Sequence, residues 1–152
     1  RRRRSRGNPG RSRSTLMLPL RYARLWRALS VLLLLFVLAA ALAPSWWFDT
    51  KAEALSWFEH ADKWLHGITF LALTVWFAGL VARHAWGRMA LGLLLVGLLI
   101  EACQLFVSYR MADWIDLGAD AAGILLGIAL AAAGLGAWGL RLEEWYSRRS
   151  AI

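Results

Sequence analysis

Apolar residues in this chain fall into four long runs, roughly Ala28–Trp46, Trp64–Val81, Met89–Val107 and Leu117–Leu140, separated by short polar segments. A helix needs about 20 residues to cross about 30 Å of hydrocarbon, and each run is close to that length. None alternates apolar and polar positions as a barrel strand does. Aromatic residues gather at the run ends, among them Trp26, Trp46, Trp47, Trp64, Trp86, Tyr109, Trp114, Trp138, Trp145 and Tyr146. Such rings prefer the headgroup layer, so they mark the same boundaries as the hydropathy. The pattern predicts an all-α fold, an integral membrane bundle of four transmembrane helices spanning residues 28–140.

Lysine and arginine positions predict the orientation. Arg21, Arg24 and Arg27 precede the first run, Arg83 and Arg88 fill the second connection, and Arg141, Arg148 and Arg149 follow the fourth. The other two connections hold only Lys51, Lys63 and Arg110. Basic residues are retained on the cytoplasmic side, so both termini are expected in the cytoplasm, with residues 141–152 as a short cytoplasmic tail of a cell (inner) membrane protein. A cleaved signal peptide is the rival for the first run, given its basic start and the triplet Ala41-Leu42-Ala43. Pro44 just after the cut would fit a peptidase cleft poorly.

Composition changes this picture little. The chain has 152 residues, is 59% hydrophobic and carries ten tryptophans, outside the usual soluble range. Its net charge of +8 suggests nucleic acid until seven arginines are found within the first thirteen residues, leaving +1 for the remainder. The body is therefore not a basic domain, and no nucleic-acid partner is expected. Residues 1–20 begin as a low-complexity arginine-rich tail with nothing to bury and are expected to be disordered; Met17 stands as a candidate start. The lone Cys103 excludes an intrachain disulfide.

The informative residues are the polar ones bordering hydrocarbon: Asp62, Lys63 and His66 opening the second run, Glu101 and Gln104 near the end of the third, and Arg110, Asp113, Asp116 and Asp120 leading into the fourth. Asp62 and His66 are four apart, Glu101 and Gln104 three apart, and Asp116 and Asp120 four apart, so each pair shares one helix face. At ~1.5 Å per residue, His66, Glu101 and Asp120 lie about 6, 9 and 5 Å inside the same leaflet. An ionisable group at that depth costs a few kcal/mol unless it faces the bundle or water, which predicts one inward-facing, outward-open cluster.

Asp62-Lys63-x-x-His66, then Glu101-x-x-Gln104, then Arg110-x-x-Asp113-x-x-Asp116 with glycines continuing to Gly123 and Gly127 resemble the VanZ-like membrane proteins, named for a protein associated with teicoplanin resistance. The resemblance covers about 28–140 and rests on the ordered set across successive runs. One position departs: Asp120 stands where the family often has asparagine. The resemblance implies a bacterial cell-envelope role, with antibiotic resistance in view, but no particular reaction.

Blander roles compete at each position. Asp62, Asp113 or Asp116 can cap helices, where an acid stabilises by ~0.3–1 kcal/mol. Lys63 can be an interfacial anchor, His66 a bundle histidine bonded to a carbonyl, Gln104 interhelical glue, and Arg110 a structural partner of Asp113 or Asp116. Glu101 and Asp120 are harder to explain this way. Gly123-x-x-x-Gly127 suits close packing inside the bundle, with a homo-oligomer seam as the alternative.

Three function classes follow. The cluster can bind an envelope component, lipid headgroup or glycopeptide-type ligand. Alternatively it is an enzyme site for a lipid-linked or cell-wall substrate, with His66, Glu101 and Asp120 as catalytic candidates and Arg110 holding an anionic group. A structural bundle is the third. No ionisable residue continues inward, which argues against a proton path. No cofactor is expected, and no metal: there is no HExxH pattern or cysteine pair, so His66, Glu101, Asp116 and Asp120 enter as ligands only within the enzyme reading.

Overall fold

The computed structural model describes residues 16–43, 61–106 and 114–149, with the side chains of 61 and 62 left out. Helix α1 is Ala23–Ala41, α2 is Ala61–Ala78, and α3 is Trp86–Gln104, preceded by a 3-10 turn at Arg83–Ala85. Helix α4 is Trp114–Leu130, followed by a wide π turn at Ala131–Leu135 and then by α5, Trp138–Arg149. No strand occurs among the described residues. Leucine- and alanine-rich segments such as Leu32–Ala41 and Leu91–Ile100 lose little rotamer freedom in a helix and form it readily.

Among the described residues, three helical stretches are long and apolar enough to cross a membrane, Ala23–Ala41, Arg83–Gln104 and Trp114–Arg149, rather than the four expected. The missing one is α2. Its 18 residues open with Ala61-Asp62-Lys63-Trp64-Leu65-His66, and these polar groups pull its average below that of a lipid-stable span. The helix is held by packing instead. Phe70 and Leu73 from α2 meet Leu93 and Ile100 from α3 and Ile124 from α4, and Leu33, Leu34, Val37 and Leu38 of α1 cover this core.

Contact between α2 and α4 is closest. A methyl group on Gly123 would collide with the backbone carbonyl of Gly67, and one on Gly127 would lie 2.6 Å from Thr74 Cβ and 3.0 Å from Leu71 O. The face formed by Gly123 and Gly127 is therefore filled by α2 of the same chain. Outward positions such as Leu32, Leu35, Phe36, Leu95, Leu98 and Leu126 stay exposed, an apolar sheath that suits lipid and not water.

The fourth run does not continue unbroken to Leu140 as the hydropathy suggested. Gly134 takes φ 134°, which glycine alone adopts without strain, and the backbone leaves helical geometry there. Arg141 reaches back to donate to the carbonyls of Gly134 and Gly136, satisfying oxygens that the break exposes. Helix α5 then turns against the start of the chain. Leu18 donates to Leu80 O, Ala82 donates to Leu16 O, and Trp26 packs edge-on against Trp76 and Trp138, which are tilted against each other, with centroids 5.2 to 5.9 Å apart.

Candidate functional site

Three helix ends meet opposite α5: the start of α2, the end of α3 and the start of α4. Each places its polar face inward because its other faces carry leucine, isoleucine and tryptophan. Asp120 is fully buried, Asp116 and Glu101 are 5% and 6% exposed, and His66 is 9% exposed. Ligand atoms of His66, Glu101 and Asp116, one from each helix, lie within 4.8 Å of one another.

Two cross-helix pairs organise the site. Lys63 Nζ donates to Asp116 Oδ1 at 3.1 Å, and His66 Nδ1 lies 3.0 Å from Asp120 Oδ1. Both pairs run from α2 to α4, and a three-residue spacing on α2 with a four-residue spacing on α4 repeats them one turn apart. With Asp120 ionised, the imidazole Nδ1–H is the donor, which leaves the lone pair on Nε2. The second oxygen, Asp120 Oδ2, is buried with no hydrogen-bond partner among the described residues. It faces Gly97 of α3, where a methyl group would strike it. Glycine there lets a carboxylate approach the α3 backbone one turn from Glu101.

Other expected members fall differently. Gln104 is 1% exposed, yet its Nε2 donates to Ala41 O at the end of α1, 3.1 Å away, so it ties α1 to α3. Lys63 is more than an anchor, since it is bonded into the cluster. Arg110 and Asp113 lie outside the described residues, as does the side chain of Asp62.

Sequence reasoning missed a buried acid at the other end. Glu143 on α5 accepts from the backbone N–H of Arg21 at 2.6 Å, from that of Tyr22 at 3.0 Å and from the Trp26 indole at 2.8 Å. The amphipathic spacing of Trp138, Leu142 and Trp145 was a visible sign that this tail is a helix. Nothing marked its distant partners.

A helical protein with an apolar sheath and a buried cluster of acids, lysine and histidine at one end of its bundle is a membrane protein with a polar site. Comparison with known families makes this specific: the VanZ/LLP1 family model matches residues 15–135, so the chain belongs to the VanZ family. No curated protein and no solved structure matches it.

Proposed function

We propose that this chain is a multi-pass inner-membrane protein, with both ends in the cytoplasm, whose polar site opens outward and binds an envelope component: a lipid headgroup or a glycopeptide-type ligand. The observation that carries this reading is the convergence of His66, Glu101 and Asp116 from three helices at one end of the bundle. That end lies at headgroup depth, within reach of a ligand held in the bilayer. The arginines support the orientation, since Arg21, Arg24, Arg27, Arg83, Arg88 and Arg141 all belong to the opposite end. On this reading α2 traverses alongside α4 as the polar member of the bundle, shielded by Gly67, Gly123 and Gly127 from having to face lipid on all sides. The spacing of the His66–Asp120 pair also favours a second reading, in which that pair moves a proton on a lipid-linked substrate.

Two measurements test the proposal. In a Cys103→Ala background, a cysteine at position 56 is expected to react with an impermeant thiol reagent in intact cells, and one at position 147 is not. The reverse labelling places the site on the cytoplasmic face and ends the envelope reading. Cells lacking the protein are then complemented with single variants of His66, Glu101, Asp116 and Asp120 and scored for sensitivity to envelope antibiotics. Loss of the effect at normal protein levels is expected, with acid-to-amide changes partly tolerated if the site only binds and not tolerated if it performs chemistry.

A further inference from the structure

The polar cluster contains the parts of a metal site that the sequence motifs did not announce. We propose that His66, Glu101 and Asp116 bind one divalent metal ion of the zinc–manganese class, with Asp120 orienting His66 behind it. The inference concerns the ion alone and does not depend on which envelope ligand the site takes.

Spacing is the first argument. A tetrahedral ion with ligands at about 2.1 Å holds those ligand atoms about 3.4 Å apart. Atoms already within 4.8 Å of one another need only side-chain adjustment on rigid helices to reach it. Donor chemistry selects the ion: one imidazole and two carboxylates suit zinc or manganese, whereas calcium and magnesium favour all-oxygen sets and copper(I) favours sulfur. Charge fits as well. A neutral imidazole with two carboxylates cancels a 2+ ion, so the loaded site is neutral where net charge is costly.

Asp120 supplies the second, independent line. A histidine that binds metal through one nitrogen usually donates its other N–H to a carboxylate, which fixes the ring and its tautomer. Asp120 is fully buried with Oδ1 3.0 Å from His66 Nδ1, so with Nδ1–H donated to it the Nε2 lone pair is the one available to an ion. Its other oxygen, buried and lacking a hydrogen-bond partner among the described residues, is turned toward the α3 face that carries Glu101. Lys63 has a defined part in this arrangement. Its ammonium lies 3.1 Å from Asp116 Oδ1, where a cation would also sit, so it competes with the metal for Asp116.

The test uses tag-free full-length protein carrying Cys103→Ala, purified in detergent, stripped with a chelator and titrated with Mn2+ and Zn2+. One ion per chain is expected, with nitrogen modulation in the electron spin echo of bound Mn2+. His66→Gln should abolish that modulation, and Glu101→Gln and Asp116→Asn should each weaken binding at least about 10-fold, as should Asp120→Asn at about 10- to 100-fold. Lys63→Met should bind as tightly as the parent or more tightly, whereas a purely structural ion-pair cluster would gain no affinity for either ion. Absence of saturable uptake by the folded parent, absence of nitrogen modulation, or unchanged affinity in both His66→Gln and Glu101→Gln overturns the proposal. The first two readings come from the parent alone, so failure of a variant to fold does not leave the question open.

Discussion

Both ends of the bundle bury carboxylates, and they answer them in opposite ways. At the α5 end Glu143 is met by the N–H groups of Arg21 and Tyr22 and by the Trp26 indole. At the other end Asp116 and Asp120 are met by an ammonium and an imidazole, side chains that can exchange partners or protons. Backbone amides have neither option. An acid answered by amides is a fastener, while acids answered by lysine and histidine can be reassigned to a ligand. This difference, more than burial, separates the candidate site from the structural one.

The largest effect that would sharpen the contrast is expected at Glu143. Glu143→Ala leaves two partly buried backbone donors and a buried indole N–H without their acceptor, and hydrogen bonds to a charged group contribute ~1.5–3 kcal/mol each. A loss of about 3 kcal/mol or more is expected, read as a lower unfolding midpoint in detergent and reduced accumulation in membranes. Whatever protein remains should keep its polar site. If Glu143→Ala accumulates normally and melts with the parent, the fastener description fails.

Glu101→Gln should do the reverse. The amide keeps shape and acceptor but removes the charge, so the expected change in stability is under about 1 kcal/mol, with normal membrane levels and an envelope effect that is reduced if the site only binds and lost if it performs chemistry. Full effect at equal abundance would show that Glu101 belongs with Glu143 as a structural acid, and the two ends would no longer differ in kind. Glu101→Leu is the control for lost polarity.

These two acids also show what the sequence makes legible. Glu101 stands out because it interrupts an apolar run about 9 Å inside its end, too deep for capping, and the spacing of Asp116 and Asp120 with that of Asp62 and His66 already put polar faces on two helices. The same spacing groups Gln104 with the cluster, with interhelical glue as its alternative, and the bond to Ala41 O fits the alternative. A helix face is wide enough to meet two neighbours, and spacing does not choose between them. Hydropathy found the helical segments but overcounted lipid-stable spans, because α2 depends on contact with α4 and not on its own average. The break at Gly134 leaves no mark on the apolar run, since glycine is equally suited to close packing and to positive φ. Glu143 was invisible because its partners are mostly backbone groups more than a hundred residues away, and backbone leaves no residue-type signal.

A smaller, more local effect is expected from Gly97→Ala, which adds no charge and removes none. Its methyl group would meet Asp120 Oδ2, the movable end of a side chain, and the carboxylate should swing aside at a cost of about 1 kcal/mol. The consequence should appear in the site: a partial loss of the envelope effect and weaker metal uptake, with little change in melting. Wild-type behaviour in both would show that the placement of Asp120 is not important to the site. The corresponding change at Gly123 meets backbone instead of a side-chain tip, and should cost stability without this selective signature.

The smallest effect concerns pH at Glu143, which lies in the polar helix α5, beyond the Gly134 break that ends the apolar part of the Trp114–Arg149 stretch. Burial alone would raise its pKa, but the amides of Tyr22 and Arg21, the Trp26 indole and the charge of Arg21 outweigh it, so the net shift is downward. A depressed pKa in the folded state means that the fastener's contribution is fully present above the ordinary carboxylate range and is lost as pH falls through the folded value. Hydrogen exchange at the Arg21 and Tyr22 amides, corrected for the intrinsic dependence on pH, should therefore be flat near neutrality and rise only as pH falls below the ordinary carboxylate range. In Glu143→Gln those amides should exchange faster at neutral pH and lose the acid-dependent rise, because an amide acceptor does not titrate in this range. The same acid dependence in parent and Glu143→Gln would mean that another group controls the release of this segment, and the ionised Glu143 carboxylate would lose its place in the comparison.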